Sequence, residues 1–379
     1  MVVIFVPKEP APGETRVAAI PETVKGMLKL GQQVQIERGA GVPAGFQDSD
    51  FQAAGAALVD NTAIASADIV LAINAPPPDR VKAMKAGAIL ICSLTPTSRL
   101  DTVVAARDAK VTSMALELMP RITRAQKMDI LSSQATCSGY QAVLLAATHL
   151  PKMFPLMMTA AGTLTPARVL ILGVGVAGLQ AISTAKKLGA VVEANDIRPA
   201  CREQVESLGG KFVDTGTPPN AETKGGYATE VQAEFLKKQR EILTNHIAQA
   251  DVLITTAQVP GKKAPVLVTA EMRKAMKPGS VIVDMAAATG GNVEGTVAGQ
   301  VIDLDGVTVI GDTNLASRKG NDASRMFARN ILAMFPEFMG KDGKLNLNLE
   351  QEIQTAVIVT HDGKVRHEPT AAALAAKGV

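Results

Sequence analysis

The fold is decided at Arg168-Val-Leu-Ile-Leu-Gly-Val-Gly-Val-Ala-Gly178. An apolar run leads into a glycine-rich turn, and a helical run follows from Leu179 to Leu188. This order is typical of the dinucleotide-binding βαβ unit, in which the glycines allow a tight turn, close backbone approach to a pyrophosphate and close helix packing. The N–H groups and the dipole at the helix start favour phosphate. We therefore expect a dinucleotide to bind at Gly173, Gly175, Val176, Ala177 and Gly178.

The acidic residue Asp196 follows the next apolar run, Val191–Ala194. Its spacing from the glycines is about that at which the dinucleotide-binding unit sets an acid against the adenosine ribose. A carboxylate there would repel the 2′-phosphate of NADP, so the sequence predicts NAD(H) as the cofactor. Arg198 could accommodate a 2′-phosphate, although a surface cation is its simpler interpretation.

Composition excludes several classes of protein. The chain has 379 residues, enough for two domains at roughly 150 residues each. Its formal net charge of +3 and its 3% aromatic content argue against a nucleic-acid-binding surface. The three cysteines are far apart and indicate neither a disulfide framework nor a metal site. The start does not resemble a secretory signal, and Pro151, Lys152 and Pro155 interrupt the most apolar window, so we expect no direct membrane insertion.

Runs rich in Val and Ile alternate with helical stretches along the chain. The first series of predicted strands is Val2–Val6, Ile69–Ile73, Ile89–Cys92 and Val111–Ala115, with helices at Pro21–Leu30 and Asp50–Ala57. The second series is Val169–Leu172, Val191–Ala194, Val252–Thr255, Val281–Asp284 and Val307–Ile310. This alternation predicts an α/β fold of two Rossmann-like, doubly wound parallel-sheet domains with a cleft between them. We expect residues 1–128 plus 321–379 to form the first domain, 132–153 a linking helix, and 159–314 the NAD(H)-binding domain.

Residues that could handle protons are scarce. Dehydrogenases of alcohols or amines need a His or Lys near the nicotinamide as general acid or base. The chain has four histidines, at positions 149, 246, 361 and 367, and none stands in a setting that singles it out. A polar cluster lies instead between the predicted domains: Arg121, Arg124, Gln126, Lys127, Asp129, Ser132, Ser133 and Gln134. By itself, this cluster is equally consistent with a solvated linker.

The same region, Glu117-Leu-Met-Pro-Arg-Ile-Thr-Arg-Ala-Gln-Lys-Met-Asp-Ile-Leu-Ser-Ser-Gln134 with Gly139-Tyr140, resembles the signature of the NAD(H)-binding component of proton-translocating nicotinamide nucleotide transhydrogenases. The resemblance covers nearly the whole chain and is least specific after Ile331. It includes these further blocks: Lys8-Glu9, Glu14-Thr-Arg-Val-Ala18, Thr159-Ala-Ala-Gly162, the glycines from Gly173, Glu203-Gln-Val-Glu206, Gly225-Gly-Tyr-Ala228, Thr255-Thr-Ala257, Pro260-Gly-Lys262 and Gly290-Gly-Asn292.

The resemblance implies a reaction without a general acid or base. In this family, hydride passes directly from NADH on this component to NADP⁺ on a partner component, coupled to proton movement through a membrane component. Residues matching Arg121, Gln126, Asp129 and Ser132 surround the nicotinamide end of NAD(H). Those matching Asp196, Ile197 and Arg198 form the adenosine-ribose segment.

The resemblance also implies a mobile lid, further contacts and partners. The lid matches Lys224–Ala228 and includes Gly226 and Tyr227, and nucleotide contacts match Gln239 and Gln258. Gln258 replaces the aliphatic residue more usual in the family. The component forms a homodimer, for which the apolar surface near 154–158 is a candidate. It docks on NADP(H)-binding and membrane-spanning subunits at the cytoplasmic face of the inner membrane.

Two other functions remain open. Alanine dehydrogenase shares the two-domain architecture and the Arg-Val-Ala segment, but its chemistry needs a Lys and a His from the first domain. The corresponding places are predicted to be Ala72 and Ser93, so both groups are absent. Transhydrogenases themselves often keep a Lys at the Ala72 position. The second alternative is a non-catalytic NAD-sensing protein, which retention of the polar cluster makes a minor option.

Overall fold

The structure, a computed structural model, describes residues 1–216, 233–259, 262–340 and 343–378. The chain forms two compact units, of which the first combines Met1–Gln134 with Ser317–Val379 and the second is Ala135–Ala316. Each unit is built around its own parallel-dominated sheet. The prediction of an α/β fold with two Rossmann-like sheets is confirmed.

The strands in chain order are β1 (Val3–Val6), β2 (Gln33–Glu37), β3 (Ala57–Val59), β4 (Ile69–Asn74), β5 (Ile89–Ser93), β6 (Thr112–Ala115), β7 (Met157–Thr159), β8 (Gly162–Leu164), β9 (Arg168–Leu172), β10 (Val191–Asn195), β11 (Lys211–Phe212), β12 (Val252–Thr255), β13 (Val281–Asp284), β14 (Val301–Leu304), β15 (Val307–Ile310), β16 (Ile358–His361) and β17 (Lys364–Val365).

The α-helices are α1 (Pro21–Lys29), α2 (Asp48–Ala53), α3 (Pro78–Lys82), α4 (Leu100–Asp108), α5 (Ile130–His149), α6 (Val176–Lys187), α7 (Cys201–Ser207), α8 (Ala233–Gln249), α9 (Ala270–Lys274), α10 (Gly320–Phe338), α11 (Glu352–Val357) and α12 (Glu368–Ala375). Two 3₁₀-helices, Thr123–Met128 and Leu315–Lys319, precede α5 and α10. Helix α5 ends at His149, where the sequence predicts a helix to Met153, because Pro151 cannot continue the hydrogen-bond ladder.

The sheet of the first unit, over the described residues, has the order β17-β16-β6-β5-β4-β1-β2-β3. Strands β1 to β6 are mutually parallel, whereas β16 runs antiparallel to both β6 and β17. Chain direction across the sheet reverses between β1 and β4, and open α/β sheets bind ligands at the carboxyl ends of the strands at such a point.

The sheet of the second unit has, within the described ranges, the order β11-β10-β9-β12-β13-β15-β14. All its pairings are parallel except that of β14 with β15. Its switch point lies between β9 and β12. The loop after β9 carries the glycine-rich turn, so the predicted nucleotide motif is at the ligand-binding edge of this sheet.

Both faces of each sheet are covered, which explains the continuous apolar runs in the strands. In β9, Val169 and Ile171 pack into one apolar cluster, whereas Leu170 and Leu172 pack into another. Successive side chains of a strand point to opposite faces, so a strand buried on both sides needs apolar residues at every position. Val, Ile, Leu, Met and Ala make up most of the core, and its largest fully buried side chains include Phe5, Phe51 and Phe327.

One predicted helix is misplaced. The sequence predicts a helix over Asp50–Ala57, but α2 spans Asp48–Ala53 and β3 begins at Ala57. Gly55 between them has a φ of 98°, which an L side chain rarely adopts, and it ends the helical conformation. No helix in the described ranges combines the length and apolar character needed to cross a membrane.

Candidate nucleotide site

The glycines after β9 differ in whether the surrounding structure leaves room for a Cβ atom. Gly173 has a φ of 97°, and a Cβ on it would lie 2.5 Å from the Thr256 hydroxyl oxygen. A Cβ on Gly178 would overlap the carbonyl oxygen of Gly173, so only glycine allows α6 to pack on this turn. A Cβ on Gly175 would meet no described heavy atom within 4 Å. Packing therefore explains why positions 173 and 178 must be glycine. It does not require glycine at position 175, which borders open space at the turn.

Helix α6 begins immediately after Gly175, with Val176 and Ala177 in its first turn. Gly175 has no side chain to cap the helix, and Val176 is 40% exposed. The first N–H groups of an α-helix have no partner within the helix and carry the positive end of its dipole. The N–H groups at this helix start can therefore donate hydrogen bonds to phosphate oxygens.

The carboxylate of Asp196 is bonded within the protein. Its Oδ2 accepts from the backbone N–H of Val174 at 2.7 Å and from Arg198 Nη2 at 3.0 Å. Its Oδ1 accepts from the backbone N–H and the Nε of Arg198, at 2.9 and 3.0 Å. Asp196 thus ties the end of β10 to the glycine-rich turn. A ribose hydroxyl that donates to this carboxylate would compete with Arg198.

Arg198 is an integral component of this turn. Its side chain is 15% exposed and also donates from Nη2 to the carbonyl oxygen of Val174 at 3.2 Å. The simpler interpretation from sequence, a surface cation, is therefore wrong. Neighbouring Ile197 is half-buried.

The loop after β12 flanks the glycine-rich turn, and sequence reasoning missed how it is held. The Thr256 hydroxyl donates to the carbonyl oxygen of Gly173 at 2.9 Å. Gln258 is exposed and donates from Nε2 to the carbonyl oxygen of Met285 at 2.8 Å. Buried Asn292 donates from Nδ2 to Ala257 and Pro265 carbonyl oxygens, both at 2.8 Å.

Asp284 organises this loop from the end of β13. Its fully buried carboxylate accepts from the backbone N–H groups of Ala286, Asn292 and Val293 and from the hydroxyls of Thr255 and Thr296. Gly290 and Gly291 both have positive φ and turn the chain back toward this carboxylate. The Gly290-Gly-Asn292 motif was the sequence signal from which this network could have been found.

In the first unit, the polar segment between β6 and α5 has one buried face and one exposed face. Ala125 and Met128 are buried in the first unit's core, whereas Arg121 and Gln126 are exposed. The alternation fixes the 3₁₀-helix Thr123–Met128 on the core and leaves the predicted site residues at the surface.

Asp129 and Ser132 form the start of α5. Asp129 accepts from the backbone N–H of Ser132 through Oδ1 at 3.0 Å and from its hydroxyl through Oδ2 at 2.6 Å. Asp129 thereby satisfies a free N–H of the first helical turn, as helix-capping residues do. Both residues are half-buried, so they have a structural role besides any role at the nucleotide.

A charged cluster lies at the switch point of the first sheet. Glu9 accepts from the backbone N–H of Ile73 at 2.6 Å. Glu14 accepts from Asn74 Nδ2 at 2.9 Å and from Arg16 Nε and Nη2 at 2.8 and 2.6 Å. Burial raises the pKa of the Glu9 carboxyl to about 7, and the charge of Glu14 adds to this shift. Burial also raises the pKa of Glu14, but the hydrogen bonds and charge of Arg16 outweigh it and lower that pKa to about 2.

The cluster shows which side chain of β4 lies among the polar groups at the strand ends. Ala72 is buried in the apolar core of the first unit and cannot reach the polar residues at the strand ends. Asn74, two residues further along β4, does reach them and pairs in register with Ser93 of β5. The side chains that β4 and β5 contribute here are therefore an amide and a hydroxyl, and neither can act as a general base at neutral pH.

The four histidines are each bonded within local structure. His149 Nδ1 lies 2.9 Å from the Leu145 carbonyl oxygen, His246 Nδ1 3.1 Å from Glu193 Oε2, His361 Nδ1 2.9 Å from the Thr112 hydroxyl and His367 Nδ1 2.7 Å from the Thr370 hydroxyl. His361 and His367 lie in or next to β16 and α12, away from the strand ends described above.

Three predicted residues fall wholly or partly outside the structural description. Gly226 and Tyr227 lie outside the described residues. Gln239 lies in α8, but its side chain is outside the described portion of the chain. The structure therefore describes the glycine-rich turn, the Asp196 segment and Gln258 in the second unit, and Arg121, Gln126, Asp129 and Ser132 in the first.

Comparison with known proteins identifies the family. Residues 5–138 match the family described as "Alanine dehydrogenase/PNT, N-terminal domain", and residues 142–368 match "Alanine dehydrogenase/PNT, C-terminal domain". The chain is 49% identical over 374 residues to the first segment of the NAD(P) transhydrogenase alpha subunit of Rhodospirillum rubrum, covering 96% of this chain and 97% of the relative.

Two further relatives come from the transhydrogenases and from the alanine dehydrogenases. The crystal structure of transhydrogenase from Sinorhizobium meliloti matches with a TM-score of 0.88 and 42% identity, over 96% of this chain and 99% of that one. Alanine dehydrogenase of Bacillus subtilis is 30% identical over 298 residues, covering 77% of this chain and 72% of the relative. The chain therefore belongs to the alanine dehydrogenase/transhydrogenase family of NAD-binding oxidoreductases.

Proposed function

We propose that this protein is the NAD(H)-binding subunit of a proton-translocating transhydrogenase. In the proposed reaction, hydride passes directly from NADH on this chain to NADP⁺ on a partner subunit, and membrane subunits couple the transfer to proton movement. One observation carries the proposal: a complete glycine-rich turn begins a helix in a chain whose strands β4 and β5 end in Asn74 and Ser93 rather than in a proton-transferring Lys or His.

The chemistry favours this assignment over an amino-acid dehydrogenase. Oxidation of an amine or alcohol releases a proton that a nearby base must accept. Transfer between two nicotinamides moves one hydride, which leaves NAD⁺ and NADPH as products and releases no proton at the reacting carbons. The site must hold two rings in reacting geometry and exclude water, and such positioning alone can supply about 7–11 kcal/mol of the barrier.

The two units have different roles in the proposed binding of NAD(H). In the second unit, the start of α6 and the glycines from Gly173 to Gly178 would bind the pyrophosphate, and Asp196, Ile197 and Arg198 would bind the adenosine ribose. In the first unit, Arg121, Gln126, Asp129 and Ser132 would hold the nicotinamide end. Exposed Arg121 and Gln126 offer donors suited to a carboxamide, a ribose or a phosphate.

The lid and the remaining contacts belong to the same proposal. Gly226 and Tyr227 would close over the bound nucleotide, since a glycine supplies a hinge and an aromatic ring supplies contact area at low entropic cost. Gln239 and Gln258 would add nucleotide contacts. Gln258 already bonds the Met285 carbonyl oxygen, which supports a fixed position beside the glycine-rich turn.

We further propose that the subunit is a homodimer that contacts its copy through the hairpin of β7 and β8. Every residue of these strands is exposed, and Met158 is 79% exposed. An isolated two-stranded hairpin is marginally stable in water, so a second copy would both cover it and stabilise it. The dimer would dock, without inserting into the bilayer, on NADP(H)-binding and membrane-spanning subunits at the cytoplasmic face of the inner membrane.

Reconstitution tests the function. The purified chain is mixed with an NADP(H)-binding transhydrogenase component, and absorbance follows hydride transfer from NADH to an oxidised NADP analogue. We expect transfer that requires both proteins, preference for NADH over NADPH on this chain, and negligible oxidation of alanine. Robust alanine oxidation by this chain alone would support the dehydrogenase alternative. NADH binding without transfer by any such partner would instead support the NAD-sensing alternative.

A further inference from the structure

The segment proposed to hold the nicotinamide is anchored from its inner side by polar side chains of the first unit. Asn330 of α10 donates from Nδ2 to the Lys127 carbonyl oxygen at 2.7 Å. The Ser133 hydroxyl donates to Asn330 Oδ1, also at 2.7 Å. These two bonds link the 3₁₀-helix and the start of α5 to one residue of α10.

A second anchor acts through Gln134, in the second turn of α5. Its Nε2 donates to the Ala323 carbonyl oxygen at 3.1 Å, and its Oε1 accepts from Arg16 Nη1 at 2.9 Å. The amide is thus held at both ends by groups distant in sequence. Because Gln134 belongs to the same continuous helix as Ser132, its position constrains the first turn of α5.

Arg16 itself is held in one orientation. Its side chain is 10% exposed, and its Nε and Nη2 are engaged by the two oxygens of fully buried Glu14. Glu14 is in turn fixed by the backbone N–H of Arg16 at 2.9 Å and by Asn74 Nδ2 at 2.9 Å. This paired arrangement aims Nη1 at Gln134. A planar guanidinium can serve a carboxylate and a third acceptor at once, whereas a Lys ammonium lacks this fixed fork.

We propose that Arg16 is a positioning residue for hydride transfer, which acts through Gln134 on the first turn of α5 and thereby on Asp129 and Ser132. The inference rests on the proposed function. Arg16 acts on these residues through Gln134, and it needs no contact with the nucleotide. Through this contact, Arg16 fixes the nicotinamide-holding segment relative to the carboxyl edge of the first sheet.

The first unit also offers a matched comparison. Arg329 and Glu22 form a two-point pair with Nε–Oε1 and Nη2–Oε2 distances of 3.1 and 2.8 Å. Both side chains are more than half exposed, and neither belongs to the Arg121–Gln134 segment. Arg329→Lys therefore alters an Arg–Glu pair of similar form without touching the proposed anchor.

The experiment uses Arg16→Lys, Gln134→Ala, the double variant and the control Arg329→Lys, each as the full chain. NADH affinity is measured on the chain alone, and the rate of transfer to an NADP analogue is measured in the reconstituted complex. Arg16→Lys and Gln134→Ala should each lower kcat about 10- to 100-fold, since small misplacement of a reacting group has effects of this size. NADH affinity should change less than about threefold, because phosphate binding by α6 is unaltered.

Two further results decide the role of Arg16. The double variant should be no slower than the slower single variant, since both changes break one anchor and residues of one network are not additive. Arg329→Lys should transfer hydride at the parent rate. If Arg16→Lys fails to fold, Gln134→Ala decides alone, since it leaves the Glu14–Arg16 pair intact.

The inference is overturned if folded Gln134→Ala transfers hydride at the parent rate, or if the variants weaken NADH binding as much as they slow transfer. Failure of the proposed function gives a different result. In that case the parent complex itself transfers no hydride to the NADP analogue, whatever residue stands at position 16.

Discussion

Gly175 and Gly178 lie in one turn, yet they predict different effects of an added methyl group on folding stability. Gly175→Ala places its Cβ in open space, so folding stability should stay at the parent value. If the pyrophosphate approaches this backbone, however, NADH affinity should fall at least about tenfold, or about 1.4 kcal/mol. Calorimetric titration with NADH and a urea unfolding curve measure the two quantities on one sample.

Gly178→Ala is the matched control, because its Cβ would overlap the Gly173 carbonyl oxygen. Overpacking of this kind costs about 1–3 kcal/mol, so this variant should lose both stability and binding. Equal NADH affinity of the parent and Gly175→Ala would mean that no phosphate lies against that turn.

Glu9 predicts a pH dependence of stability in the first unit. Its pKa is about 7 in the folded protein against an ordinary value of 4.5, so between these values the native chain binds more protons than the unfolded chain. The stabilisation from Glu9 is therefore complete below pH 4.5 and is lost as the pH rises through 7. The slope from this one group approaches about 1.4 kcal/mol per pH unit at most.

Glu9→Gln imitates the protonated carboxyl group and removes this slope. Urea unfolding of the parent and of Glu9→Gln at about pH 5, 6, 7 and 8 should give a stability difference that shifts in favour of the variant as the pH rises. A difference that is the same at all these values would show that Glu9 does not titrate in this window.

Some contacts between residues could be predicted from the sequence, and others could not. The glycines, Asp196 and the polar segment were identified from spacing and from resemblance, because motifs of this kind are local in sequence. The bonds of Arg198 to Asp196 depend on side-chain geometry in a turn. The Arg16–Gln134 bond joins residues between which five strands, β2 to β6, intervene in the sequence. Neither has a local signal.

At the scale of elements, the hairpin of β7 and β8 carries a prediction about assembly. Met158→Asp places a charge on its most exposed apolar side chain and should shift the protein from dimer to monomer in sedimentation velocity at micromolar concentration. Unfolding midpoints should fall only by the stabilisation that dimer formation supplies, since the residue contributes no buried core. The control Val301→Asp alters a valine 52% exposed on β14 and should leave the mass unchanged.

If Met158→Asp keeps the parent's mass, the hairpin is not the dimer contact. A parent that sediments as a monomer would remove the homodimer from the proposed function and leave the nucleotide site untouched.

Strands that are buried on both faces were the ones that could be predicted. Strands such as β4, β9 and β12 are continuous apolar runs, and their predicted bounds agree with the structure to within about a residue. Strands β2, β3, β14 and the hairpin were missed, because they are exposed on at least one side and their sequences mix polar and apolar residues. The antiparallel pairing of β16 with β6 joins segments far apart in the chain and has no local pattern.

At the scale of the whole molecule, composition and alternation of elements predicted the fold class correctly, because two parallel sheets require the same apolar runs wherever they occur. The assignment of tasks to the two units came from resemblance. The four histidines are bonded within local structure, which agrees with the proposal that this chain orients nucleotides and uses no histidine as a base.

The first sheet draws β1 to β6 from one stretch of the chain and β16 and β17 from another, with the entire second sheet encoded between them. The last strand of the second sheet therefore leaves the ribosome while α10, which covers the first sheet and anchors Gln134, is still inside the exit tunnel. During translation, the second unit can fold while the first unit still exposes an apolar face that α10 will cover. Newly made chains are therefore prone to aggregate during this interval. The interval ends only when α10 and β16 leave the exit tunnel.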